Sequence, residues 1–207
     1  MDEPVLIYVH GFNSSPDSWK ARALRAELKR QGRQQRLRVP ALSHWPAEAI
    51  EQLQAEIDAA QGPVTLIGSS LGGYYSTWLV EHNPGVRAVL VNPAVHPFVL
   101  LEAWLGQNTN LYTADNYELT WEHLAQLQAL YCPQLQYPER YLLLVQTGDE
   151  TLDYREAVDK YAASAQFVQP GGSHGFEHFE ALIPALQAFA EGRVELPEPV
   201  ALPVSAP

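Results

Sequence analysis

Ser70 stands at the centre of Gly68-Ser69-Ser70-Leu71-Gly72, a G-x-S-x-G pattern with the apolar run Val64 to Ile67 leading in and an amphipathic segment following. A serine on such a strand-turn-helix elbow has its hydroxyl lifted out of the sheet at a helix N-terminus, where backbone N–H groups stabilise developing negative charge. That arrangement suits acyl transfer. The turn strains the serine backbone, and side chains two positions to either side would strike the neighbouring strand and helix, which accounts for Gly68 and Gly72. Ser69 is the competing hydroxyl; lying one position off centre, it should face away from the cleft.

A serine hydroxyl needs a histidine to take its proton, and the histidine needs a carboxylate to hold its tautomer. Downstream, the apolar run Tyr141 to Gln146 leads into Thr147-Gly148-Asp149-Glu150, and the run Gln166 to Val168 leads into Gly171-Gly172-Ser173-His174-Gly175-Phe176. This puts a carboxylate and then an imidazole at strand C-terminal ends, where open α/β sheets gather their sites. We read His174 as the base and Asp149 as the acid. Glu150 and Asp153 compete for the acid role, although Asp153 also suits a helix N-cap before Tyr154-Arg155-Glu156. The loop Tyr8-Val9-His10-Gly11-Phe12-Asn13 should complete an oxyanion hole from the N–H groups of Phe12 and Leu71, with Asn13 as a side-chain helper and His10 pinning the loop. Of the remaining histidines, His82 fits a helix face, His44, His96 and His123 read as surface or inserted-segment residues, and His178 as a helical position. His174-Gly175-Phe176-Glu177-His178 also matches the zinc pattern H-x-x-E-H, but its glycines oppose the single helix that pattern requires. No metal and no cofactor are expected.

These groups need a scaffold, and the chain has the rhythm of one: six short β-rich runs alternate with segments of helical period. The expected strands are Pro4 to Val9, Arg36 to Val39, Val64 to Gly68, Arg87 to Val91, Tyr141 to Gln146 and Gln166 to Val168. Several are continuously apolar, as strands buried on both faces must be. Ile50, Leu53, Ile57 and Ala60 recur at helical spacing, as do Leu71, Tyr75, Trp78, Leu79 and His82. The first helix should start near Ser15-Pro16-Asp17, with Ser15 as its cap. Eight of the 13 basic residues lie between Lys20 and Arg38 and read as a solvated outer helix face. Between Pro93 and Pro138 the rhythm breaks into 46 residues that contain Phe98, Trp104 and Trp121 but no Lys or Arg. That segment reads as a small helical cap inserted after the fourth strand, with Asn13, Phe98, Trp104 and Trp121 binding substrate. We expect one domain over residues 1–190 and a Pro-rich tail, disordered or draped on the surface, over 191–207.

The 207 residues are 46% apolar and 18% charged, an ordinary globular balance. Their net charge of −11 should repel nucleic acids and anionic membrane surfaces. The start, Met1-Asp2-Glu3-Pro4, lacks the pattern of a signal peptide, and no apolar stretch reaches the roughly 18 residues that span a bilayer. With the lone Cys132 unable to pair within the chain, the expected compartment is the cytoplasm. The pattern sets no oligomeric state.

In order along the chain, His10-Gly11-Phe12, Gly68-Ser69-Ser70-Leu71-Gly72-Gly73, Asn92-Pro93, Gly148-Asp149-Glu150 and Gly172-Ser173-His174-Gly175-Phe176 resemble the α/β-hydrolase superfamily. The short length and the stretches His-Gly-Phe-Asn-Ser-Ser and Gln146 to Glu150 resemble the small bacterial YqiA-like esterases. That resemblance implies the sheet order 2-1-3-4-5-6 for the six expected strands, and carboxylesterase or acyl-CoA thioesterase chemistry on a small-molecule substrate. The single glycine after His10 departs from His-Gly-Gly-Gly esterases and disfavours bulky tertiary-alcohol esters. A non-catalytic ligand-binding protein on the same fold is the reading from a different class.

Overall fold

The computed structural model describes residues 3–203. Six strands form a wholly parallel sheet in the order β2-β1-β3-β4-β7-β8, which is the order implied above. They are β1 (Val5–Val9), β2 (Leu37–Arg38), β3 (Val64–Ser69), β4 (Arg87–Val91), β7 (Tyr141–Gln146) and β8 (Ala165–Gln169). Two further strands, β5 (Gly106–Thr109) and β6 (Asn116–Leu119), form a separate antiparallel hairpin. The helices are α1 (Trp19–Arg30), α2 (Pro46–Asp58), α3 (Leu71–His82), α4 (Pro97–Leu100), α5 (Trp121–Ala129), α6 (Tyr154–Lys160) and α7 (Ile183–Ala190). Among the described residues no helix is long and apolar enough to cross a membrane.

The period-2 geometry of a strand divides the core in two. Val5, Ile7 and Val9 of β1 and Tyr141, Leu143 and Val145 of β7 pack with Leu53 of α2, Leu79 of α3 and Leu127 of α5 on one face. Leu6 and Tyr8, with Leu142 and Leu144, pack with Leu24 and Leu28 of α1 and Leu186 and Phe189 of α7 on the other. Each fully buried aliphatic contributes roughly 1.5–3 kcal/mol, so every central strand is anchored from both sides.

Three local expectations need correcting. The first helix begins at Trp19 with Ser18 as its N-cap residue; Ser15 instead closes a preceding turn, its hydroxyl accepting the Asp17 N–H at 3.0 Å. Residues 93–138 are not purely helical, because they carry the β5–β6 hairpin between α4 and α5. The tail is partly built into the fold: Leu202 N–H donates to the Pro170 carbonyl at 2.8 Å, and the Pro203 carbonyl accepts the Gly172 N–H at 3.0 Å. Residues 204–207 of the expected tail lie outside the described residues.

Candidate active site

β3 ends at Ser69 and α3 begins at Leu71, which leaves Ser70 alone on the turn at φ 54°, ψ −120°. A non-glycine residue at positive φ is costly, and it persists only where its surroundings leave no other choice. Here they do not. A Cβ on Gly68 would come within 2.5 Å of the Gly72 carbonyl oxygen, and one on Gly72 within 2.0 Å of the Val9 carbonyl oxygen. Ser69 is buried against the Tyr8 hydroxyl on the opposite side of the sheet from α3.

The structure brings Ser70, His174 and Asp149 together. His174 Nε2 lies 3.2 Å from Ser70 Oγ, and His174 Nδ1 lies 2.8 Å from Asp149 Oδ2. With the carboxylate accepting from Nδ1–H, the lone pair is on Nε2 and faces the serine. Asp149, whose side chain is 1% exposed, also accepts the N–H groups of Thr151 and Leu152 at 2.9 and 2.8 Å through Oδ1. Glu150 serves the backbone, accepting the His174 N–H at 2.9 Å. Asp153 caps α6 and pairs with Arg155. His174 to His178 form turns with left-handed backbone at Phe176 and His178, so the two imidazoles share no helix face and His178 is not helical.

Two side chains fix the histidine loop. Gln146, fully buried at the end of β7, accepts the N–H groups of Ser173 and Glu177 and donates to the Glu177 carbonyl and to Gln169. Asn92, at φ 40°, donates to the carbonyls of Ser173 and His174 and accepts the Gln146 N–H. Neither role was read from the sequence, although a polar residue ending an otherwise apolar strand is the signal that points to Gln146.

Lys20 corrects the reading of the basic stretch. Arg22, Arg25, Lys29 and Arg30 are exposed as expected, but Lys20 is buried and its ammonium donates to the Gly175 carbonyl at 2.8 Å. Burial pulls its pKa down to about 8 against the opposing attraction of Asp149.

On the other side of Ser70, a Cβ on Gly11 would sit 3.1 Å from Ser70 Cβ, so the loop after β1 passes directly beside the nucleophile. His10 accepts the Leu42 N–H at Nε2, which leaves Nδ1–H to donate to the Gly11 carbonyl. Asn13, at φ 51°, accepts the Tyr117 hydroxyl at 2.7 Å, and its carbonyl accepts the Leu111 N–H. The hairpin is thereby tied to this loop. A cavity of about 670 Å³ opens over Ser70 and His174, with Phe12, Leu71 and Asn13 on one wall and Leu100, Trp104 and Leu152 among its apolar lining. Of the expected substrate-binding residues, Asn13 and Trp104 line it. Phe98 instead packs edge-on against Tyr131, and Trp121 is 66% exposed on α5. His123, which lies in the inserted segment, is fully buried and stacks on Trp45 at 3.6 Å.

A family model matches residues 5–191 under the description uncharacterised protein family UPF0227. The chain belongs to that family. UPF0227 is the YqiA-like group that the motifs resemble, and solved structures of low identity share the α/β-hydrolase fold of this member. One neighbour, from Agrobacterium vitis S4 and provisionally named a hydrolase, is 16% identical with a TM-score of 0.71, the match covering 93% of this chain and 88% of that one. Mouse alpha/beta hydrolase domain-containing protein 10 is 17% identical with a TM-score of 0.68, over 92% of this chain and 89% of that one. Est1E from Butyrivibrio proteoclasticus is 15% identical with a TM-score of 0.68, over 92% and 88%. These likenesses establish the shared fold of the UPF0227 chain.

Proposed function

We propose that this UPF0227 member is a serine hydrolase that cleaves carboxylic esters through an acyl-enzyme on Ser70. The observation that carries this reading is the continuous relay from Ser70 Oγ through His174 to the buried Asp149, with Ser70 held at positive φ at the start of α3. As Ser70 Oγ bonds to the ester carbonyl carbon, its proton passes to His174 Nε2, and Asp149 stabilises the imidazolium that results. The carbonyl oxygen becomes an oxyanion. Leu71, as the first residue of α3, has an N–H without a partner carbonyl in its own helix, and with the Phe12 N–H it forms the hole that receives this charge. Collapse of the intermediate breaks the carbon–alkoxy bond, and the alkoxide leaves with the proton from His174. Water then repeats the sequence against the acyl-enzyme, with His174 again as base, and frees the acid and Ser70.

The apolar lining of the 670 Å³ cavity suits a short or medium acyl or aryl group. Its lining includes no Lys or Arg, which favours neutral esters over acyl-CoA thioesters. Est1E, a neighbour of the same fold, has been solved with ferulic acid bound, which is consistent with ester chemistry on this scaffold. A panel of neutral esters, thioesters and amides assayed on the purified chain beside Ser70→Ala tests the proposal. Ester hydrolysis that Ser70→Ala abolishes supports it; no ester turnover, or turnover that survives the substitution, refutes it.

A further inference from the structure

A second cavity, of about 390 Å³, adjoins the first, and Phe12, Asn13 and Leu71 line both. Apolar side chains (Phe12, Leu42, Leu71) line part of it, as they do its neighbour, but its lining also carries a carboxylate, which its neighbour's does not. Ser14, His44, Thr113, Asp115, Asn116 and Tyr117 line it, and no Lys or Arg does. Asp115 makes no ion pair among the described residues. The tautomer of His44 follows from a chain of hydrogen bonds. Thr120 N–H donates to His123 Nδ1 at 3.1 Å, so His123 carries its proton on Nε2 and donates to His44 Nδ1 at 3.0 Å. The His44 proton is therefore on Nε2, where it is available as a neutral donor. Burial holds both imidazoles below the usual histidine range, that of His123 at about 4. Tyr117 gives its hydroxyl proton to Asn13 and keeps an acceptor lone pair, and its ring stacks on His44 at 4.5 Å.

A carboxylate, an amide, hydroxyls, a neutral imidazole donor and an aromatic face are together the inventory that binds vicinal hydroxyl groups: the carboxylate accepts from two of them while the ring covers a C–H face. An anion would find no countercharge here. We infer that this second cavity is the subsite for a polyhydroxylated alcohol, and that the preferred substrates are esters of an apolar acid with a polyol or sugar. This rests on the ester-hydrolase reading, in which the scissile carbonyl binds beside the residues that line both cavities. The acyl group then lies toward the first cavity and the hydroxylated group toward Asp115 and Asn116 in the second.

The test compares kcat/KM for glycerol monobutyrate, ethyl butyrate and choline butyrate, which share one acyl group, on the full chain and on Asp115→Ala and Asn116→Ala. The subsite predicts that the glycerol ester leads the ethyl ester by about tenfold or more, with choline butyrate below the glycerol ester. Either substitution lowers the glycerol-to-ethyl ratio several-fold. A ratio near one, a ratio that neither substitution changes, or a preference for the choline ester overturns the subsite. Ser70-dependent hydrolysis of ethyl butyrate without polyol preference sinks the subsite alone. Absence of Ser70-dependent hydrolysis of all three sinks the parent reading with it.

Discussion

Replacing Lys20 with methionine should separate stability from activity. The Lys20 side chain is buried beside the apolar packing of α1, and its pKa falls from 10.5 to about 8 because the charged form loses water. At roughly 1.4 kcal/mol per pH unit, keeping that ammonium charged at neutral pH costs about 3 kcal/mol relative to the unfolded chain. Methionine removes the penalty but orphans the Gly175 carbonyl, which returns about 1–3 kcal/mol of destabilisation. Lys20→Met should therefore be as stable as the parent at pH 7, or more stable by up to about 2 kcal/mol. Between pH 8 and 10.5 the unfolded state binds more protons at Lys20 than the folded state does, so parental stability rises with pH relative to the variant. The penalty is full below pH 8 and gone near the unfolded value. Urea unfolding of both proteins at pH 7, 9 and 10 measures the gap, and groups common to both cancel in the difference. Activity should move the other way, because Gly175 follows His174: kcat/KM falls by about tenfold as the loop loses its anchor. A variant clearly less stable than the parent at pH 7, with a gap that does not change with pH, would refute the reasoning.

Gln146→Leu takes the partner from at least two partly buried backbone groups of the histidine loop, so unfolding free energy should drop by roughly 2 kcal/mol and kcat should fall while Ser70 remains labelled by a phosphonate probe. Unchanged kcat would show that the loop holds without it. Truncation after Glu198 removes the bonds from Val200, Leu202 and Pro203 to Gln169, Pro170 and Gly172, and thermal unfolding should shift down by about 3–10 °C. An unmoved Tm would mean that the tail lies on the surface without load. Asp149→Asn should lower kcat on the order of 10³-fold or more, whereas Asp153→Asn, at the cap of α6, costs mainly stability; steady-state kinetics on both distinguishes the two carboxylates. Neutral esters should outrun matched anionic ones at low and high salt alike, and a preference for the anionic member at low salt would place a cation at the entrance.

The elements that strain or burial forces on the chain were the legible ones. Strands β1, β3 and β7 lie between two helical layers, so Val-Leu-Ile-Tyr-Val and Tyr-Leu-Leu-Leu-Val read directly as buried parallel strands. The elbow announces itself because Gly68 and Gly72 have no room for a Cβ. The β5–β6 hairpin stayed hidden. Gly-Gln-Asn-Thr and Asn-Tyr-Glu-Leu are short, contain little β-branched or aromatic residue, and are held by a turn in which Asn110 accepts two backbone N–H groups. Aromatic type marks burial or contact but not which cavity a ring faces: Trp104 lines the cavity over Ser70, whereas Phe98 packs on Tyr131 and Trp121 lies exposed on α5. Lys20 was hidden among basic neighbours on the same helix, although its spacing from Leu24 and Leu28 puts it on the buried stripe of α1, from which its ammonium reaches Gly175. The two cavities are a tertiary feature of the β1 loop meeting the hairpin, and no local pattern encodes that meeting.

The central claim is that Ser70 is the nucleophile that His174 and Asp149 activate. Mapping the adduct of a fluorophosphonate probe by digestion and mass spectrometry, on the parent and on His174→Ala, tests it most directly. The account predicts one stoichiometric adduct on Ser70 in the parent, with labelling slowed by orders of magnitude in His174→Ala. An adduct on Ser69, no adduct on protein that hydrolyses esters, or labelling at equal rate without His174 would contradict it.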